Sequence, residues 1–147
     1  RLIAKPSTQG SLVALWHQGR VLLVAASYRK ELSLPGGWIN RRESAQRAAQ
    51  RELAEELGLQ VQEAQLSEPW VFTEHSARGV NTVWIFALEL AEQPALQVDG
   101  LEILRGVWLT PAEALQRRIT GHLREYLEQG IRASGSNTRA ISSATPQ

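Results

Sequence analysis

Glu52, Glu55 and Glu56 stand at i, i+3 and i+4 of one segment. At 100° per residue a helix gathers all three within about 100° of arc, as one carboxylate patch. Like charges at this spacing cost about 0.2–0.5 kcal/mol per pair, and acids in the last turns of a helix oppose the negative end of its dipole. A solvated face, with Arg51 offsetting Glu55 at i+4, is the plain structural account of such a patch. The chemical account is a hard divalent cation. Mg²⁺ takes octahedral oxygen ligation from a few carboxylates and leaves its other positions to water and substrate phosphate. The surroundings favour the chemical account, because a Gly-rich turn, Leu34-Pro35-Gly36-Gly37, and a further acid, Glu43, stand just ahead of the segment.

The elements that must position these groups follow from periodicity. From about Ser44 to Leu57 the apolar positions Ala45, Ala48, Ala49, Leu53 and Leu57 recur at helical spacing, and Gly58 stands where a helix ends on a left-handed residue. Before the turn, residues 11–16 and 20–26 are short apolar runs separated by His17-Gln18-Gly19, which predicts a hairpin. After the helix, residues 69–73 and 81–90 read as strands joined by a polar loop through His75, Arg78 and Gly79, and residues 105–109 as a short strand. Thr110-Pro111-Ala112-Glu113 opens a helix, with Thr110 as N-cap and Glu113 at the capping-box position. An amphipathic stretch runs from about Gly121 to Ala133, and the Ser/Thr-rich composition of 134–147 predicts a disordered tail. Strands on both sides of a helix, then further helices, predict an α/β fold. A mixed β-sheet lies between helices, in one domain over residues 1–133.

The chain has 147 residues, enough for one domain with a core of its own. No cysteine is present, which excludes disulfide scaffolds, cysteine-ligated zinc, iron–sulfur clusters and thiol nucleophiles. A net charge of +1 is not the footprint of a dedicated binder of nucleic acid or anionic membrane. Arg1 is not a native translation start. Lys5, Pro6, Ser7 and Thr8 dilute any signal-like run, and no apolar stretch approaches the roughly 20 residues of a membrane span. A soluble, cytoplasmic protein is expected.

Gly37, five residues, Glu43, seven residues, then Arg51-Glu52-Leu53-Ala54-Glu55-Glu56-Leu57-Gly58-Leu59 matches the Nudix box at every specified position, G-x5-E-x7-R-E-U-x-E-E-x-G-U with U aliphatic. The sequence thus resembles the Nudix hydrolases. The resemblance implies an α/β/α sandwich and hydrolysis of a nucleoside diphosphate linked to another moiety, with Mg²⁺ as cofactor and Mn²⁺ as a substitute. It also implies that Glu52, Glu55 and Glu56 bind the metal, Glu52 and Glu56 directly and Glu55 as a third ligand, an outer group or a base. Arg51 cannot ligate a cation, so its role is to orient a carboxylate such as Glu43. Glu43 itself is either a water-mediated ligand or a structural partner of the helix start. Gly36 and Gly37 bring backbone close to the metal, where a side chain would obstruct it. Attack on phosphorus also needs a base. The candidates are a glutamate of the box, Glu102 or Asp99 before the strand at 105–109, and Glu74 or His75 after the strand at 69–73.

The substrate is less constrained. Arg29 and Lys30 precede the glycine turn and could meet phosphate. Trp38, directly after the glycine pair, is the best exposed stacking candidate among five tryptophans. Ser67, Pro69, Trp70, Phe72 and Ser76 agree with part of the array that marks Nudix NADH pyrophosphatases, while Glu68, Val71 and Thr73 depart from it. His75 stands where related enzymes for ADP-ribose or diadenosine polyphosphates tend to carry proline or tyrosine. A (d)NTP cleaved to NMP and pyrophosphate is therefore the expected reaction, with an NADH or nucleotide-sugar pyrophosphatase as alternative. A non-catalytic nucleotide- or RNA-binding module is the alternative of another class. Expected partners are a small nucleotide and, since many relatives are dimers, a second copy of the chain, with no membrane and no stable nucleic-acid complex.

Overall fold

The computed structural model describes the backbone of residues 6–143 and the side chains of residues 6–133. Strand β1 (Ser7–His17) turns through Gln18 and Gly19, both at positive φ, into β2 (Arg20–Ala26). Two successive left-handed residues are what a tight two-residue hairpin turn requires. The two strands then part, since they pair only at Trp16–Val21 and His17–Arg20. Short strands β3 (Leu32–Ser33) and β4 (Gly36–Trp38) occupy the opening, β3 on β2 and β4 on β1.

Helix α1 (Ala45–Leu57) follows, then a 3-10 turn at Glu63–Gln65, β5 (Trp70–Ser76), β6 (Gly79–Glu89), β7 (Ile103–Leu109), α2 (Pro111–Leu115) and α3 (Gly121–Ser143). The strand order is β3-β2-β1-β6-β5, with β4 added on β1 and β7 on β2. β1 and β6 run parallel and the other pairs antiparallel, so the sheet is mixed, as expected. Strand alternation builds two cores. Val13 and Leu15 of β1, with Leu22 and Val24 of β2, pack under Ala49, Leu53 and Leu57 of α1. Leu12, Ala14, Val21 and Leu23 point to the other face, under Ala114 of α2 and Leu123, Tyr126 and Leu127 of α3. Helices therefore cover both faces of the sheet.

Two expectations change. The polar loop expected through His75 is strand: β5 continues to Ser76 and turns at Ala77-Arg78 into β6, where paired backbone outweighs the polar side chains on an exposed edge. Helix α3 runs past Ala133 to Ser143, so the first part of the expected disordered segment carries helical backbone, propagated from the amphipathic stretch before it. Residues 144–147 lie outside the described residues. Among the described residues no helix is long and apolar enough to cross a membrane.

Candidate active site

Helix α1 carries the acidic patch and is fixed at both ends. Ser44 Oγ accepts the Arg47 N–H at 3.1 Å, and Gly58, at φ 68°, donates its N–H to the carbonyls of Ala54 and Leu53. The buried stripe Ala49, Leu53 and Leu57 turns the helix so that Glu56 faces inward, 5% exposed, and Glu52 lies beside it. Glu55 points outward with a side chain 61% exposed.

Arg51 ties the patch to the loop before it. Its Nε and Nη2 donate to both carboxylate oxygens of Glu43 at 2.8 and 2.9 Å, Nη1 donates to Glu52 at 2.8 Å and Glu55 at 3.3 Å, and Nη2 reaches the Trp38 carbonyl at 3.0 Å. Glu43 also accepts the Asn40 N–H at 3.0 Å. Those bonds, with the Arg51 guanidinium foremost, hold the Glu43 carboxyl down at about 2. Glu43 is thus a structural partner here.

The strand opposite supplies the closest approach. Gly36 donates its N–H to Glu56 Oε2 at 3.1 Å. A Cβ on Gly37 would lie 2.6 Å from Glu52 Oε1, so the carboxylate rests where a side chain would otherwise be. Burial pushes the Glu56 carboxyl up to about 8 against the pull of the Gly36 N–H, and repulsion from Glu52 and Glu102 adds to the rise.

These groups line a cavity of about 620 Å³ that opens where β1 and β2 part. Its lining brings together Gly36, Gly37, Trp38, Glu52, Glu56, Glu102 and Arg29. Trp38 is 63% exposed, and the Arg29 guanidinium lies 4.9 Å from the centroid of the Tyr28 ring. Arg51 and Glu55 are not in the lining, and neither are Asp99, Glu74 and His75. Cross-strand register explains His75, which opposes Val80 on the other face of the sheet; Glu74 opposes Asn81 and so shares the cavity's face, but its carboxylate lies beside His122 instead of in the lining. Three cavity residues carry no signal in the sequence, namely Tyr28, Asn81 and His122. The His122 imidazole has Nε2 3.1 Å from Thr120 Oγ1 and Nδ1 4.0 Å from Glu74 Oε1. Burial, aided by Arg29, keeps it neutral, down at about 4.

The NADH-type residues lie elsewhere. Phe72 is in the core under α3, Trp70 meets Tyr126 edge-on at 5.3 Å, and Ser67 Oγ accepts the Ala87 N–H at 2.9 Å; none lines the cavity. Among the described residues no three acidic or histidine side chains form a ready-made metal cage. The donor set still suits a hard cation. Glu52, Glu56 and Glu102 offer oxygen only, and the buried Glu56 carboxyl is repelled by the other two, a repulsion that a cation relieves.

Glu52 and the buried Glu56, side by side on α1 and in contact with the Gly36–Gly37 strand, thus form one wall of a cavity of small-molecule size. The model of the NUDIX domain matches residues 8–130, and the chain belongs to this family of hydrolases. No curated protein matches the sequence. Among solved structures, a MutT NUDIX hydrolase from Burkholderia pseudomallei is similar at 24% identity and TM-score 0.72, over 85% of this chain and 98% of that one. The MutT protein from Methanosarcina mazei Go1 is similar at 18% identity and TM-score 0.76, over 90% of this chain and 99% of that one. The E. coli dihydroneopterin triphosphate pyrophosphohydrolase is similar at 23% identity and TM-score 0.67, over 87% of this chain and 97% of that one. At these identities the likeness is one of fold.

Proposed function

We propose that this hydrolase is a divalent-cation-dependent pyrophosphohydrolase whose substrate is a nucleoside diphosphate linked to another moiety, with (d)NTPs as the preferred class. The observation that carries this reading is the convergence of Glu52, Glu56 and Glu102 in one cavity with Arg29 and two exposed aromatics, Trp38 and Tyr28. Glu52 and Glu56, with the Gly36 backbone beside them, are the groups to hold the ion. When bound, Mg²⁺, or Mn²⁺ in its place, neutralises phosphate charge and acidifies water. Arg51 acts as a positioning residue, holding Glu52 and the Trp38 backbone, and Glu55 shares its charge. Arg29 meets the phosphate chain, and Trp38 offers a stacking face to the base.

In the reaction, water attacks phosphorus, Glu102 takes its proton, and the bond from that phosphorus to the bridging oxygen breaks. NMP and pyrophosphate leave. Pyrophosphate release from a panel of nucleotides, with and without EDTA, tests the proposal. The expected result is release from (d)NTPs that EDTA abolishes, with Glu52→Gln and Glu56→Gln each slower by about 100-fold or more. Full activity in both variants would overturn the ion-holding roles, and turnover confined to NADH or nucleotide sugars would replace the substrate class.

A further inference from the structure

Glu102 reaches the cavity from the loop that enters β7; Val98 and Ile103 pack on the core on either side, and the tip between them has no apolar packing of its own. Leu101 is 79% exposed, and Glu102 is itself exposed. What holds it is polar. Asp99 Oδ1 accepts three successive backbone N–H groups, from Leu101 at 3.0 Å, Glu102 at 3.1 Å and Ile103 at 2.9 Å. Gly100, at φ 73°, makes the turn that brings them round one oxygen and donates its own N–H to the Ile103 carbonyl at 3.0 Å. On the other side the Glu102 carbonyl accepts the Ser27 N–H at 2.8 Å, just past the end of β2 and next to the irregular step between Ala25 and Ala26. Both backbone polar groups of Glu102 are therefore committed, one to Asp99 and one to the frame of the sheet.

Asp99 does not line the cavity, and its carboxyl is held below the usual range by the Ile103, Leu101 and Glu102 amides. An oxygen already shared by three donors is a poor base and a good anchor.

We propose that Asp99 is a positioning residue for Glu102, its carboxylate setting the loop so that the Glu102 side chain enters the cavity that Glu52 and Glu56 also line. This rests on the reading of Glu102 as the proton acceptor. Removing the anchor leaves Glu102 chemically intact but misplaced, and a misplacement near 1 Å costs up to about 100-fold in rate. Asp99→Asn keeps an oxygen at the same place, and Asp99→Ala does not.

The test is a double-variant cycle read on kcat and KM separately, with amide exchange of Leu101, Glu102 and Ile103 as a readout independent of turnover. Glu102→Gln is expected to lower kcat about 100-fold. Asp99→Ala is expected to lower kcat about tenfold or more with KM within about threefold, and to speed exchange at those three amides. Asp99→Asn should restore kcat to within about threefold of the parent. In the Glu102→Gln background, Asp99→Ala should cost nothing further, because the group it positions is gone. If Glu102→Gln is slow while Asp99→Ala turns over normally, or if the two losses multiply, the positioning role is overturned and Glu102 keeps its own. If Glu102→Gln is fully active, the reading of Glu102 falls and the role of Asp99 with it.

Discussion

The Glu52 carboxylate lies against Gly37 so closely that a Cβ on Gly37 would sit 2.6 Å from Oε1 and 2.7 Å from the carboxyl carbon. Gly37 has an ordinary backbone, with no positive φ, so the chain itself accepts alanine there. The group that must give way is the far end of a flexible side chain. Gly37→Ala should therefore leave the melting temperature within a few degrees of the parent and lower kcat at least about tenfold, as Glu52 is pushed from its place. Gly36 is the opposite case. Its φ of 142° and a Cβ that would collide with the Ser11 carbonyl oxygen leave no local escape. Gly36→Ala should destabilise by about 2–4 kcal/mol. Melting curves and kinetics on the two variants separate these effects; a Gly37→Ala protein that unfolds like Gly36→Ala would show that Glu52 cannot move aside.

The Glu56 carboxyl makes the ion-free protein sensitive to alkali. In the unfolded chain it ionises near 4.5, and in the folded protein only near 8. Below 4.5 both states hold the proton and the stability is intact. As pH rises towards 8 the unfolded state loses its proton first, so stability falls through that window and levels off above it. The size is a few kcal/mol at most. His122 acts the other way, losing stability as pH drops from 6.5 towards 4, because the unfolded chain is protonated first. The two are separated by difference. Denaturant unfolding in EDTA at pH 5 and pH 8 should show Glu56→Gln gaining on the parent at the higher pH. An unchanged difference between the two pH values would mean that Glu56 ionises normally.

The bond between Arg51 and Glu43 is the fold's contribution to the site. Both groups are largely enclosed, with side chains 26% and 11% exposed, and the pair is bidentate. Arg51→Lys keeps the charge but cannot span Glu43, Glu52 and the Trp38 carbonyl at once. It should cost about 1–3 kcal/mol and slow turnover by more than that loss of folded protein explains. Glu43→Gln should lose the stability that the parent sheds as pH falls from 4.5 through about 2, where the depressed carboxyl finally protonates. A Glu43→Gln protein with the parent's acid unfolding midpoint would place the source of that sensitivity elsewhere.

Spacing alone identifies the helix, its closing Gly58 and its three glutamates, because each of these is a local pattern. The division among the glutamates was also within reach. Glu56 follows Leu53 and precedes Leu57, beside the buried stripe, whereas Glu55 lies 100° further round, towards water. The shared 100° arc groups all three wherever the buried stripe is centred. Tyr28, Asn81 and His122 were out of reach for another reason. Parallel pairing of β1 with β6 and the docking of α3 bring them to one cavity, and no local period encodes either. Glu74 and His75 depend on parity: a loop leaves their faces open, and only the β5–β6 register puts Glu74 on the cavity's side of the sheet and His75 on the other, with neither in the lining. The splayed hairpin was hidden too, since the sequence marks the turn at Gln18-Gly19 but not the two short strands that hold β1 and β2 apart.

Trp38 offers the cleanest separation of binding from folding. Its ring is 63% exposed on the cavity wall and supports no core, while its carbonyl is held by Arg51 Nη2 at 3.0 Å. Truncation removes the ring and leaves the backbone bond. A stacked base is worth about 1–3 kcal/mol, so Trp38→Ala should raise KM about 5- to 100-fold for the preferred nucleotide, with kcat within about threefold and no loss of melting temperature. Trp38→Phe keeps a flat face and should recover most of that affinity. Steady-state kinetics on the two variants decide the point. An unchanged KM would mean that the base is held by Tyr28 or by the Asn81 and His122 end of the cavity instead.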